Sequence, residues 1–333
     1  MSGINGDMAH LSDGLFTTAI AVYALAMVGH TAEYAFGRVG RSAAERAASR
    51  QLVGAGGPAV VTPDAPPVAP RPRRRLADRI GRWSVAATVV GAVVHTASIL
   101  VRAVAVDAVP WSNMYEFASV SGLVAVIAFL GVMWKAPQIR HLGGFILLPV
   151  ILLMFLAGTV FYSDAQKLVP ALQSYWLAIH VFLVSIAEGA LLTSAMLTIL
   201  YLAKSRSDRR LAAGEPARGT LATLAERLPS ADTLDKAAYR VVAFSFPLYT
   251  VAIICGAIWA EAAWGRYWGW DPKETWAFIV WVVYAGYLHA RATAGWKGRS
   301  AAWINLAGFT AIIFNFIIVN LVVTGLHSYA GVS

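Results

Sequence analysis

The chain has little charge and almost no cysteine. Asp, Glu, Lys and Arg make up 14% of the 333 residues, against roughly 25% in soluble domains. The one cysteine, Cys255, excludes a disulfide framework and a C-x-x-C thiol-exchange motif. Cys255 lies in an apolar run, where we expect it to be a small buried hydrophobic side chain. The first 14 residues contain no Lys or Arg, so we expect no cleavable signal peptide.

Apolar residues dominate instead, at 58% of the chain. They form separate runs about as long as the ~20 residues that a helix needs to cross a bilayer. We therefore predict an all-α fold, a polytopic transmembrane helix bundle of about eight spans. The predicted spans cover residues 15–37, 82–106, 114–134, 143–162, 175–203, 240–260, 275–292 and 301–323.

A long polar segment divides the chain. Residues 38–81 are basic and rich in Pro and Ala. Such a composition cannot bury a core, so we predict a disordered cytoplasmic loop. The loop separates an N-terminal tail and first span, 1–37, from a membrane domain at 82–333 with an outer loop at 261–276.

The positive charge is distributed unevenly among the loops. Of the 27 Lys and Arg, 23 lie in or beside the loops after spans one, three, five and seven, and 4 beside those after spans two, four and six. By the positive-inside rule, the first group is cytoplasmic and both termini are extracytoplasmic. The net charge of +9 thus indicates membrane topology, and we expect no nucleic-acid partner.

Tryptophan is concentrated in one connection on the predicted outer face. Residues 264–276, the Trp-rich segment, hold four Trp and one Tyr, with glycines at 265 and 269. Glycine lets a flat group approach the backbone closely. The alternative is an anchoring belt of interfacial aromatic residues, but a belt spreads its residues over several helix ends.

The Trp-rich segment also contains a helix-start pattern. Asp271 suits the N-cap position, Pro272 the first helical position and Glu274 the third. We predict that Asp271 caps span seven and thereby fixes the geometry of the segment.

Two of the seven histidines share the predicted outer side with the Trp-rich segment. His180 stands at the entrance to span five, and His327 follows the outer end of span eight. Heme iron takes an axial nitrogen on each face, and the apolar macrocycle packs on aromatic rings. Two imidazoles beside an aromatic surface therefore suit a porphyrin. The alternative is that both only hydrogen-bond to loops or lipid.

The other histidines lie elsewhere. His289 is about 14 residues into span seven, and an ionisable group at that depth is a functional candidate. Three further polar groups within spans have either a chemical role or helix–helix hydrogen bonds: His30, His95 and Glu188. We expect solvated positions for the remaining two, His10 and His141.

Together these motifs resemble a known family. Trp-Gly-x-x-Trp-x-Trp-Asp at 264–271 is similar to the WWD-domain signature of the heme-handling proteins of cytochrome c maturation. Five other stretches resemble the CcsA/ResC branch of the System II pathway, named CcsB in many actinobacteria. They are 112–116, 175–180, 272–276, 287–291 and 325–330. The resemblance runs from about residue 83 to the C-terminus.

The resemblance implies a set of heme contacts. His180 and His327 match the axial ligands of an external heme b, which is held on Trp264, Trp268, Trp270 and Asp271. His289 matches a ligand of heme within the membrane, whose second ligand comes from a ResB-like membrane partner. The implied location is the plasma membrane of a bacterium, with the Trp-rich segment outside.

The implied function is that of a membrane subunit of the cytochrome c synthase system. It presents heme for thioether attachment to an apocytochrome c carrying C-x-x-C-H, as part of a heme–cytochrome c ligase (holocytochrome c synthase) complex. We identify no catalytic residue apart from the heme ligands, so proximity and orientation supply the catalysis. Three residues are candidates for contacts with heme propionates or the apocytochrome: Arg266, Lys273 and Glu274.

Other classes of function stay open at this point. One is a heme exporter without ligation activity, and another is a structural assembly subunit whose tryptophans only anchor it. A System I heme protein is an alternative within the same superfamily, although the span count and the Leu-His-Ser-Tyr tail favour System II.

Overall fold

The protein is built from helices, as predicted. The computed structural model describes residues 5–53, 72–109, 113–166, 173–215, 220–293, 295–323 and 325, and no strand occurs among them. The helices are α1 (Gly6–Val53), α2 (Pro72–Val106), α3 (Met114–Lys135), α4 (Gly143–Thr159), α5 (Tyr175–Ala212), α6 (Thr220–Glu226), α7 (Ala231–Trp264), α8 (Pro272–Thr293), α9 (Arg299–Ile313) and α10 (Val319–Leu321). A 3-10 turn (Pro137–Leu142) precedes α4, and a π-helical turn (Phe314–Ile318) joins α9 to α10.

Seven stretches in the described part of the chain are helical, long and apolar enough to cross a membrane. They are Gly6–Ala35, Leu76–Val106, Met114–Lys135, Pro137–Thr159, Tyr175–Ala212, Ala231–Trp264 and Arg299–Leu321. Each corresponds to one predicted span, which confirms the polytopic helical bundle. The remaining predicted span, 275–292, forms α8, which is not among the seven.

Helices α1 and α2 extend beyond the apolar runs that predicted them. α1 continues to Val53 and α2 begins at Pro72, so helix enters the predicted 38–81 loop from both sides. The stretch after the first span is rich in Ala and Arg, which are strong helix formers. Residues 54–71 lie outside the described residues, and disorder there stays a prediction.

The helices pack in two connected groups. α1 pairs with α2 along its length and also contacts α4, while α5 pairs with α7 and also contacts α3 and α9. α8 packs on α9 and α7. Where α3 and α5 cross, a Cβ on Gly189 would clash with the Ser121 carbonyl oxygen. Small residues at such crossings let membrane helices approach closely.

Buried polar groups tie the first three helices together. Arg102 Nε donates to Glu116 Oε1 at 2.7 Å, which joins α2 to the first turn of α3. His95 lies between Ser119, at 2.9 Å from Nε2, and Tyr23, at 3.4 Å from Nδ1. Charges and imidazoles inside membrane helices are expected to be paired in this way.

His30 is placed similarly, with Nε2 at 3.2 Å from Thr88 Oγ1. For His30 and His95 the structure therefore contains the helix–helix hydrogen bonds that were one of the two interpretations.

The two histidines expected to be solvated differ from each other. His10 is exposed, as predicted. His141 is not: it is half-buried and stacks on Tyr34 with ring centroids 5.4 Å apart. The prediction for His141 was wrong because the connection between α3 and α4 folds back as a 3-10 turn against α1.

Candidate functional site

A partly open cavity of about 190 Å³ lies at the end of the bundle that carries the α7–α8 connection. We call this end the platform end. The cavity walls come from α3, α5, α7, α8 and the π-helical turn, and most of the lining is apolar. Mostly apolar cavities with a few polar groups are the usual form of small-molecule sites.

His180 projects from the first turns of α5 into this cavity. Its Nδ1 lies 2.7 Å from the carbonyl oxygen of Ala252 on α7. Because a carbonyl oxygen only accepts hydrogen bonds, Nδ1 carries the proton, and in the neutral imidazole Nε2 then carries the lone pair. A hydrogen bond of this kind orients metal-ligating histidines and fixes their tautomer.

Gly256 makes that orientation possible. It lies one helical turn after Ala252, and a Cβ at this position would come 2.7 Å from His180 Cε1 and Nδ1. Any larger residue would displace the imidazole, so the absence of a side chain at Gly256 leaves room for the ring between α5 and α7.

The structure brings two of the predicted tryptophans to the same cavity as His180. Trp264, at the end of α7, and Trp268, in the connection, both line it. Trp259, which was not among the predicted contacts, lines it too and meets Trp264 edge-on with centroids 4.7 Å apart. The density of Trp between 259 and 281 is the sequence signal for it.

Trp270 lies elsewhere. It is 64% exposed, has a φ of 57° and does not line the cavity. Its ring meets Trp268 and Phe278 edge-on, at 5.7 and 6.0 Å between centroids. Left-handed backbone is uncommon for a residue other than glycine. Here it turns the side chain of Trp270 to the protein surface, where its ring packs against Trp268.

The predicted cap of α8 is confirmed. Asp271 Oδ2 accepts the Lys273 N–H at 3.3 Å, and Glu274 Oε2 accepts the Asp271 N–H at 3.1 Å. Glu274 Oε2 also accepts the Gly269 N–H at 2.8 Å. This reciprocal arrangement is the capping box. It fixes the end of the Trp-rich segment against the start of α8.

The two glycines of the segment have local structural roles. Gly265 has a φ of 71° and ends α7, with its N–H donating to Glu261 O at 2.8 Å. Left-handed glycine is the common end of a helix. Gly269 is covered by the guanidinium of Arg266. Arg266 therefore packs on the connection and does not line the cavity.

The chain after α10 returns to the same place. A Cβ on Gly325 would lie 2.7 Å from Asp271 Oδ1, so Gly325 contacts the cap of α8. His327 is two residues further on in sequence and lies outside the described residues.

His289 is remote from the cavity. It is exposed on α8, 16 residues after Lys273, which corresponds to roughly 24 Å along a helix. The structure thus separates His289 from His180, Trp264 and Trp268.

Polar residues also line the cavity, and of these Lys273 was among the predicted candidates whereas Asn315 and Asn320 were not. Lys273 Nζ donates to the Asn315 carbonyl oxygen at 3.1 Å, and the Asn315 and Asn320 side chains face the cavity. Glu188 also lines it. No sequence pattern marked Asn315, because its position depends on the π-helical turn.

Known proteins share this region of the chain. Residues 111–327 match the family described as Cytochrome C assembly protein. A "Cytochrome c biogenesis protein CcsA" from Synechococcus elongatus is 41% identical over 199 residues, which cover 50% of this chain and 61% of the relative. The chain therefore spans less than two thirds of that relative's length.

Two further relatives with the same name are covered more fully. The protein from Gloeobacter violaceus is 34% identical over 283 residues, covering 72% of this chain and 83% of its own length. The protein from Guillardia theta is 37% identical over 233 residues, covering 66% and 76%. The family match includes the Trp-rich segment and His180. The chain belongs to the cytochrome c assembly family, as a relative of the CcsA proteins.

Proposed function

We propose that the protein is a membrane subunit of cytochrome c biogenesis that holds heme b as its substrate at the platform end and presents it to apocytochrome c. One observation carries the proposal. The cavity combines an imidazole whose Nε2 bears the lone pair with the aromatic rings of Trp264 and Trp268. An axial nitrogen and aromatic packing surfaces are what heme requires.

His327 is our candidate for the second axial ligand. Its support is that His327 follows closely after Gly325 in the sequence, and Gly325 contacts Asp271 in the Trp-rich segment. The contact gives Asp271 a second task besides capping α8, because the same carboxylate meets the returning chain. Trp270 supports the site indirectly in this proposal, by packing behind Trp268.

Orientation follows from the charge distribution. The platform end carries few Lys and Arg, whereas the opposite end carries the basic connections. By the positive-inside rule, the platform end faces the outside of the plasma membrane. Apocytochrome c would meet the heme there.

His289 supports a second, inner heme contact. An imidazole exposed on a membrane helix is costly in lipid, so such residues face protein or a cavity. We propose that a ResB-like partner covers this part of α8 and supplies the other ligand of a heme within the membrane. α8 would then be the eighth membrane helix.

The chemistry at the platform end is chiefly positioning. Two axial imidazoles keep the iron six-coordinate while the vinyl groups are presented at the cavity rim. Each cysteine S–H of the apocytochrome adds across a vinyl C=C bond, and the apocytochrome histidine replaces one axial ligand. Holding the cysteine thiols of the apocytochrome close to the heme vinyl groups in the reactive orientation supplies the rate enhancement.

Two other functions are less well supported. A purely structural role would leave the tryptophans facing lipid as an anchoring belt, yet Trp264 and Trp268 face the cavity. A heme exporter would need a polar path through the bundle, but His30 and His95 are engaged in hydrogen bonds between helices.

A ligation assay tests the proposal. The protein, a ResB-like partner and an apocytochrome with C-x-x-C-H are co-expressed in cells lacking their own maturation system, and covalent heme on the cytochrome is measured. We expect covalent product, and a severalfold loss of it for His180→Ala but not for the exposed control His10→Ala. Release of free heme without covalent product would support the exporter instead.

A further inference from the structure

The lining of the cavity includes a cation that heme ligation by histidine does not use. Lys273 leaves the first turn of α8, and its ammonium group reaches the π-helical turn, where Nζ donates to Asn315 O at 3.1 Å. Glu188 of α5 faces the same space and interacts electrostatically with Lys273.

The π-helical turn explains how this arrangement arises. The Val319 N–H donates to Phe314 O, five residues back, so it does not take up the Asn315 carbonyl oxygen. Lys273 donates to that oxygen instead. Single π-helical turns inside α-helices are frequent at functional sites.

Asn315 adds a hydrogen-bond donor. The residue is 5% exposed and lines the cavity. Its amide Nδ2 group only donates hydrogen bonds, so it can pair with a carboxylate oxygen that enters the cavity.

The other charged groups near Lys273 already have structural tasks. Asp271 interacts electrostatically with Lys273, but its carboxylate caps α8. Glu274 lines the cavity, but its Oε2 accepts two backbone N–H groups. Among Arg266, Lys273 and Glu274, only Lys273 therefore presents a positive charge to the cavity.

Resting on the proposed function, we propose that Lys273 and Asn315 form a carboxylate subsite that binds one heme propionate, with Glu188 as the counter-anion of Lys273 before heme arrives. The two propionates of heme b lie on one edge of the macrocycle and the vinyls on the remaining perimeter. Holding a propionate at Lys273 fixes how the macrocycle is rotated in the cavity, and therefore where its vinyl groups lie relative to Trp264 and Trp268.

Lys273→Met and Glu188→Gln should have opposite effects on heme binding, because Glu188 and the propionate compete for the same ammonium group. Lys273→Met keeps the aliphatic stem but removes the charge, so the propionate loses its charge-assisted hydrogen bond. Glu188→Gln removes the competing carboxylate, so Lys273 is available to the propionate. A structural role alone would make both substitutions weaken heme binding.

The test compares heme b with heme b dimethyl ester, in which both propionate charges are absent. The protein is purified with its partner, stripped of heme and titrated with each compound, following the His180-dependent visible spectrum. For the unsubstituted protein we expect about tenfold tighter binding of heme b than of the ester. Lys273→Met should remove that preference, Glu188→Gln should increase it, and Lys236→Met, an exposed lysine on α7, should leave it unchanged.

Equal affinity of the unsubstituted protein for both compounds would overturn the subsite, and this result needs no variant to fold. If Lys273→Met lowers the affinity for heme b and for the ester by the same factor, the subsite is also overturned. The proposed function fails separately, if neither compound gives a spectrum that depends on His180.

Discussion

At the scale of single residues, the tryptophans divide by the surface they contact. Trp264 and Trp268 line the cavity, whereas Trp270 is 64% exposed and packs behind Trp268. The resemblance to the heme-handling family implied all three as heme contacts. The difference arises from the backbone at 270, which has a φ of 57°, and a composition pattern does not reveal a local conformation of that kind.

This division predicts unequal effects of substitution. Trp264→Ala removes an aromatic wall of the cavity and should lower heme occupancy severalfold. Trp270→Ala removes only support and should have a clearly smaller effect. Heme per protein after purification with the partner measures both, and a larger loss for Trp270→Ala would contradict the assignment of the walls.

The polar residues that line the cavity could be predicted only in part from the sequence. Lys273 was one of three candidates for propionate contact, and only the structure distinguishes it from Arg266 and Glu274. Asn315 was not a candidate at all. Its orientation depends on a π-helical turn, which results from packing and has no marker in the sequence.

At the scale of elements, helix positions were predictable because apolar runs and capping residues are local signals. Asp271 and Glu274 form the expected capping box. The extents of the outermost helices were less predictable. α1 continues to Val53 because Ala-rich polar sequence also favours helix. The predicted spans were shorter because they were based on apolar runs alone.

The ion pair between α2 and α3 carries a prediction at this scale. Arg102 and Glu116 are both about 97% buried, and removing one partner leaves an uncompensated charge that costs about 3–5 kcal/mol. We expect Arg102→Met to lower the Tm in detergent markedly. The double variant Arg102→Met/Glu116→Leu should recover part of the loss, and a double variant no more stable than the single one would contradict this coupling.

At the scale of the whole molecule, the bundle has a platform end and an opposite, basic end. The structure places His180, the Trp-rich segment and Gly325 at the first, and His289 far along α8 toward the second. Sequence reasoning separated these ends through the Lys and Arg count, because that count reflects membrane topology. The position of His327 stays a prediction.

Labelling of single cysteines tests this orientation. Cys255 is replaced by Ser, and a cysteine is introduced by Tyr267→Cys at the platform end or by Trp296→Cys between α8 and α9. Both positions are exposed, at 61% and 49%. In intact cells a membrane-impermeant maleimide should label the first variant and not the second. The reverse pattern would place the platform end in the cytoplasm.

Ligation of heme iron by His180 is the claim on which the proposed function depends most, and chemical rescue measures it directly. In the complex purified with its partner, His180→Gly should remove the contribution of the platform-end heme to the six-coordinate low-spin spectrum. Added imidazole should restore it, because the partly open cavity admits the missing ring. Tyr175→Gly, at an 89% exposed position on the same helix, should keep the spectrum without imidazole. If His180→Gly without imidazole keeps the same low-spin heme content as the unsubstituted complex, His180 does not bind the iron.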